Sequence, residues 1–68
     1  MSIQVGNVVR MSYTNDPYYY LVLKVCENSE LLISAIGSIV RYYAPSSKFE
    51  VAYLSLLDLQ QDKPELFI

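Results

Sequence analysis

The stretch Asp16–Val25, DPYYYLVLKV, joins three consecutive tyrosines to a run of residues that favour β-strands. Neighbouring residues of a strand point to opposite faces of its sheet, and only one face can point into the core of a short chain. One face of this strand would carry Tyr19, Leu21, Leu23 and Val25. The other would carry Tyr18, Tyr20, Val22 and Lys24. Because a lysine belongs in water, the alternation predicts that the face with Tyr20 and Val22 points outward, which raises the question of what covers it.

The length of the chain limits how it can be stabilised. Its 68 residues make one small domain, residues 1–68. A core of this size rarely supplies more than roughly 3–5 kcal/mol, so small folds often add a disulfide, a metal or a partner chain. Cys26 is the only cysteine and there is no histidine, which excludes a disulfide framework and a tetrahedral zinc site. No cofactor motif is present, and a partner chain becomes the expected source of extra stability.

Composition separates two classes of partner. The seven tyrosines account for the excess of hydrophobic residues, and tyrosine is common at contact surfaces. The net charge is −2, and the five cationic residues are scattered singly along the chain. A nucleic-acid binder usually carries a basic patch that neutralises phosphates. Protein partners are therefore favoured over nucleic acid.

Turn residues recur about every ten positions and predict a small all-β barrel or sandwich. They comprise the TND before Pro17, ENSE at 27–30, GS at 37–38, APSSK at 44–48 and QQDKP at 60–64. The predicted strands are Gln4–Tyr13, Tyr18–Cys26, Leu31–Ile36, Ile39–Tyr43 and Phe49–Tyr53. Gly37-Ser38 suits a two-residue type II′ hairpin loop, and Gly6 suits a bulge or bend. The tail admits one helical turn near Leu54–Leu57, or a further strand, and a short edge strand in ELFI.

A single amphipathic helix is the alternative for residues 31–43, where several apolar side chains recur at helical spacing. Glu30 near its start and Arg41 near its end would suit the helix dipole. Gly37 in the middle would cost about 1 kcal/mol relative to alanine. The segment is also rich in isoleucine, valine and tyrosine, which favour strands. Two strands are therefore the preferred interpretation.

The start of the chain resembles the small SH3-like barrels of bacteria and phages, including the uncharacterised YodC-like family. Their opening strand typically reads V-G-D-x-V-x-L and is followed by a polar loop and a proline before the second strand. The matching positions are Val5, Gly6, Val8, Val9, Met11 and Pro17, with Leu54 or Leu57 as the closing leucine. Asn7 departs from the usual aspartate. The resemblance implies a five-stranded, mostly antiparallel SH3-like barrel and no particular activity. Such barrels bind peptides, nucleic acids or copies of themselves, and small ones often come from mobile elements.

Few residues are suited to chemistry or to a membrane. The chain has no histidine to serve as a catalytic base, and its carboxylates show no paired pattern, so we expect no enzyme. Cys26, with Lys24 two residues away, is better read as an inert thiol than as a nucleophile. The longest uncharged run, Leu31–Val40, is too short to cross a bilayer. A lone cysteine and no export signal predict a cytoplasmic protein.

Alternation predicts the interaction surface. Arg41 should face water together with Ile39 and Tyr43, leaving Val40 and Tyr42 inside. Glu50 and Ala52 should face out, leaving Phe49, Val51 and Tyr53 inside. The predicted surface consists of Tyr18, Tyr20, Val22, Ile39, Arg41 and Tyr43.

A contiguous outer apolar patch predicts a non-catalytic module that forms a homodimer or higher homo-oligomer, or docks a protein partner. The alternative is single-stranded nucleic-acid binding, with bases stacked on Tyr18, Tyr20 and Tyr43 and with Arg41 and Lys24 at phosphates. A third possibility is peptide binding around the TND loop through Tyr13 and Tyr18.

Overall fold

The computed structural model describes residues 2–68, which form a single five-stranded antiparallel sheet with one short helix. The strands are β1 (Val8–Met11), β2 (Tyr20–Val25), β3 (Glu30–Ala35), β4 (Arg41–Pro45) and β5 (Phe49–Tyr53). Helix α1 spans Leu56–Asp62, and 3₁₀ turns span Ser46–Lys48 and Pro64–Phe67. The spatial order is β4-β3-β2-β1-β5, and every neighbouring pair is antiparallel. The predicted all-β class, the five strands and the choice of two strands over a helix for residues 31–43 are confirmed.

Two glycines make turns that the sequence placed slightly differently. Gly6 and Gly37 have φ angles of +92° and +91°, which L-residues rarely adopt. Ser38 N–H donates to the Ala35 carbonyl (3.0 Å), so Gly37 is the third residue of its turn, where type II turns need a positive φ. The prediction of a two-residue type II′ loop was wrong, because residues 36–40 all separate β3 from β4. Gly6 is likewise the third residue of a turn just before β1, closed by the Asn7 N–H donating to the Gln4 carbonyl (3.0 Å). This turn is the bend that was predicted at Gly6.

A bulge in β2 decides which side chains enter the core. Val22 is paired with Ile33 of β3, but Lys24 is paired with Leu32, so β2 has one residue more than β3 between these pairs. The extra residue breaks the alternation, and Lys24 lies on the outer face while Val22 lies on the inner one. Tyr20 and Val22 are only 6% and 1% exposed. Their predicted outward orientation, inferred from Lys24, was wrong.

The inner face of the curved sheet carries the main core. Its buried members are Val9, Tyr20, Val22, Leu31, Ile33 and Phe49. Half-buried side chains that include Met11, Ala44 and Val51 complete it. Within β5, Phe49 is buried, Val51 is half-buried and Glu50 is exposed, as predicted; Ala52 is half-buried. A register shift pairs Val51 with Val9 but Tyr53 with Val8, whose partner in β2 is Leu21. Tyr53 therefore lies on the outer side of the sheet, and its predicted inward orientation was wrong.

The C-terminal segment lies beside the outer face of β2. Helix α1 begins at Leu56 because the Ser55 side chain accepts a hydrogen bond from the Asp58 N–H, as an N-cap does. Leu59 of α1 is fully buried, and so is Val8, whose partner in β2 is Leu21. Leu21 lines one groove together with Leu56, Leu66, Phe67 and Ile68. The predicted helical turn near Leu54–Leu57 is thus the start of a longer helix, and the predicted edge strand in ELFI is a 3₁₀ turn.

Candidate interaction surface

Four of the six predicted surface residues remain exposed. Tyr18 lies just before β2, Ile39 lies in the β3–β4 connection, and Arg41 and Tyr43 belong to β4. Ile39 is 95% exposed and Tyr43 is 58% exposed. The other two, Tyr20 and Val22, are core residues and are removed from the surface.

Strand β4 holds Arg41 and Tyr43 side by side on the outer face. It is an edge strand, since among the described residues β3 is its only hydrogen-bonded neighbour in the sheet. Tyr43 is paired with Leu32, and Arg41 is paired with Ser34. Tyr42 alternates to the inner side, where its ring meets that of Tyr20 edge to face at 6.3 Å. Tyr42 was predicted to lie inside, and it is nevertheless 43% exposed because an edge strand has no neighbour on its free side.

Val40 is a surface residue that the sequence interpretation missed. Alternation with Arg41 predicted that Val40 points inward, but it precedes the first residue of β4 and is 64% exposed. The Val40 N–H donates to the Ser38 hydroxyl, and the Ser34 hydroxyl donates to the Ser38 carbonyl (both 3.1 Å). These bonds hold the connection as a loop, where strand alternation does not apply. The sequence signal for a loop here was Gly37, three residues before Val40. The turn at Gly37 ends β3 at Ala35, which is too early for a two-residue hairpin.

The free edge of β4 exposes main-chain groups as well as side chains. Ser46 N–H donates to the Ser29 carbonyl (2.8 Å), which continues the β3–β4 ladder beyond its last assigned pair. Residues whose main-chain groups face β3 alternate with residues whose groups face away. Counting back from Ser46, Ala44 and Tyr42 face β3. Arg41 and Tyr43 therefore direct their N–H and C=O groups outward.

Tyr20 anchors a buried aromatic cluster at one end of the core. Its hydroxyl donates to the Asp16 carboxylate (2.7 Å), and its ring packs edge to face on Phe49, with centroids 5.7 Å apart. Asp16 also accepts the Tyr18 N–H (3.0 Å), which orders the residues before β2. Burial, followed by the hydrogen bond to Asp16, raises the pKa of the Tyr20 hydroxyl above its ordinary value. Tyr20 is thus a structural residue that fastens the loop before β2 to the core.

Tyr53 fastens α1 to the sheet. The Tyr53 hydroxyl donates to the Asp62 carboxylate, so β5 is tied to the last residue of α1. This hydrogen bond is the main reason that the pKa of Tyr53 rises to about 12. The Tyr19 ring packs edge to face on Tyr53, with centroids 5.8 Å apart. The exposed tyrosines are therefore Tyr13, Tyr18, Tyr42 and Tyr43.

Two open grooves accompany this surface. The larger, of about 590 Å³, includes Cys26, Glu27 and Glu50 in its lining, together with Phe49 of the core. The smaller, of about 420 Å³, is the groove beside Leu21 described above. Among residues 2–68, no three histidine, cysteine, aspartate or glutamate side chains come together as metal ligands would. No helix in that range is long and apolar enough to span a membrane.

The chain was compared with protein-family models, with curated proteins and with solved structures. No family model matches it, and no curated protein or solved structure shows significant similarity.

Proposed function

We propose that this protein is a non-catalytic assembly module that self-associates through the surface of β4 and the residues just before it. The β4 surface consists of Ile39, Val40, Arg41, Tyr42 and Tyr43. The observation that carries the proposal is that four of these five consecutive residues are large and apolar, and all five are exposed. Arg41 and Tyr43 project from the outer side of this edge strand and Tyr42 from the inner side, and exposed apolar area of this kind usually marks a contact site on a protein surface.

The size of the chain suits a modest interface. Specific interfaces begin at about 1,200 Å² of total buried area, or about 600 Å² from each copy. The chain exposes 4819 Å² in all, so each copy would contribute roughly an eighth of its surface. Tyrosines and an arginine are the side chains that most often carry binding energy at such contacts. A dimer would also bury apolar area that so small a core leaves in water.

The proposal also includes a fold type and a compartment. The fold type comes from the resemblance to SH3-like barrels, and the compartment from the lone, half-buried Cys26. The order β4-β3-β2-β1-β5 and the 3₁₀ turn between β4 and β5 support an SH3-like description of the fold. A free cysteine suits a reducing compartment such as the cytoplasm. Non-catalytic assembly is compatible with both.

Single-stranded nucleic-acid binding is the second candidate, and one feature favours it. Lys24, Leu32 and Tyr43 are neighbours across the outer face of three strands, with Arg41 on the same face. A base stacked on Tyr43 would lie near two cations. Against this candidate stand the net charge of −2 and the burial of Tyr20, which removes one of the proposed stacking platforms.

Measurement of absolute mass by light scattering over a range of protein concentrations tests the proposal. We expect the wild type to exceed the monomer mass, and Tyr43→Glu to return to it with an unchanged circular dichroism spectrum. Tyr13→Glu is the matched control, since Tyr13 is 87% exposed but lies outside the β4 surface, and it should keep the wild-type mass. A wild type that stays monomeric at millimolar concentration would refute self-association.

A titration with fluorescent oligonucleotides separates the two candidates. Self-association predicts no binding at either low or moderate salt. Binding that weakens as salt rises, and that Tyr43→Glu abolishes, would favour the nucleic-acid candidate instead.

A further inference from the structure

We propose, on the basis of the self-association above, that β4 pairs antiparallel with β4 of a second copy, with the two-fold axis passing through Tyr42. The two sheets would then form one continuous ten-stranded sheet. A symmetric dimer needs a patch that is complementary to itself, and an edge strand with free main-chain groups meets this requirement.

The main-chain groups that face outward limit the possible registers. Arg41 and Tyr43 each offer one N–H donor and one C=O acceptor on the free edge, following the alternation given above. Pro45 also faces outward, but it has only an acceptor, because proline lacks an N–H. A register that places Pro45 opposite an outward-facing residue therefore leaves an acceptor unpaired in each copy.

Three symmetric registers can be compared. An axis through Tyr43 places each Pro45 opposite Arg41 of the other copy and leaves both Arg41 carbonyls facing proline rings. An axis through Arg41 sets two like charges directly opposite, which destabilises a strand pair. An axis through Tyr42 places Arg41 opposite Tyr43 of the second copy, twice. The last register makes four main-chain hydrogen bonds from four donors and four acceptors, and leaves no outward group of Arg41 or Tyr43 unpaired.

The side chains support the same register. Arg41 and Tyr43 lie on the outer face, so each Arg41 guanidinium would lie beside the ring of Tyr43 from the other copy. A guanidinium over a tyrosine ring is a favourable cation–π contact. On the inner face, the two Tyr42 side chains would be opposite each other across the axis, each supported from behind by its own Tyr20. This pairing of cation with aromatic ring is why we choose a second copy over an unrelated strand as the occupant of the edge.

Engineered cysteines test the register in a Cys26→Ser background. In the Tyr42 register the two Tyr42 residues form a non-hydrogen-bonded pair, whose Cα atoms are about 4.5 Å apart. That distance lies within the range of about 4.4–6.8 Å that a disulfide spans. We expect Tyr42→Cys to give a covalent dimer on mild oxidation at micromolar concentration, and Tyr43→Cys to remain at least tenfold less cross-linked. Tyr13→Cys measures cross-linking by random collision.

A mixture of two variants gives a second readout that leaves Tyr42 in place. Arg41→Cys and Tyr43→Cys should each stay uncrosslinked alone, and should form a mixed disulfide dimer when combined. Cross-linking of Tyr43→Cys alone, or of no variant while the wild type is dimeric, would overturn the register and leave self-association standing. A wild type of monomer mass would refute the proposed function itself.

Discussion

The substitution Val22→Ala tests the bulge that defines the core. Val22 is 1% exposed and belongs to the main hydrophobic cluster, although strand alternation with Lys24 places it in water. Removing two buried carbon groups costs about 0.8 kcal/mol each in lost transfer energy, and the remaining cavity adds to this. We expect the free energy of unfolding to fall by about 2–3 kcal/mol. For a chain of this length the total is roughly 3–10 kcal/mol, so the loss is a large share of it.

Two matched controls separate burial from the chemistry of the substitution. Val25 lies on the other side of the bulge and is 44% exposed, and Val40 lies in the loop before β4. Val25→Ala and Val40→Ala should each lower the free energy of unfolding by less than about 1 kcal/mol, since both side chains are already partly in water.

Urea unfolding followed by circular dichroism at a fixed protein concentration measures all three variants. A slope near 1 kcal/mol per molar urea is typical of such small proteins, so Val22→Ala should shift the midpoint by about 2–3 M. Fixed concentration matters because self-association would itself add stability. A loss below about 0.5 kcal/mol for Val22→Ala, equal to that of Val40→Ala, would show that Val22 faces solvent and that β2 has no bulge.

Three further predictions concern a titrating tyrosine, a turn and a polar contact. Tyr53 has a pKa of about 12 in the folded chain against about 10 when unfolded, so its hydrogen bond to Asp62 contributes stability below pH 10 that is lost as the pH rises toward 12. In urea unfolding, Tyr53→Phe should therefore lose less stability than the wild type between pH 10 and pH 12. Equal losses in the two proteins would contradict this prediction. Gly37→Ala should lower the free energy of unfolding by about 1–2 kcal/mol in the same assay. The space around a new Cβ is open, so this cost comes from the positive φ alone. Unchanged stability would refute the turn geometry. The Asn7 side chain accepts the Gln4 N–H (2.8 Å) and donates to the Leu54 carbonyl (3.0 Å). Asn7→Asp introduces the residue usual in SH3-like openings and removes the donor, so it should lower the free energy of unfolding by about 1–3 kcal/mol. A stability equal to that of the wild type would contradict this account.

Strand number and fold class followed from local features of the sequence. Turn residues between short apolar runs, together with β-branched and aromatic residues, predicted five strands, and the glycine at position 37 correctly argued against a helix over residues 31–43. The exposure of Arg41 and Tyr43 was also predictable, because β4 is regular from Arg41 onward and alternation holds within a regular strand. These properties depend on residues close together in the chain.

Which face of β2 points into the core, and which segment lies against its outer side, could be decided only from the tertiary structure. The bulge exists only relative to β3, since one extra residue is defined by which residues the two strands pair. No pattern within DPYYYLVLKV reveals it, and an exposed Lys24 therefore misplaced Tyr20 and Val22. On the outer side of β2, Leu21 shares a groove with the C-terminal segment, which lies more than thirty residues away in sequence. The edge position of β4 is likewise a property of strand order, because a strand's neighbours are chosen by the packing of the whole sheet and not by its own residues.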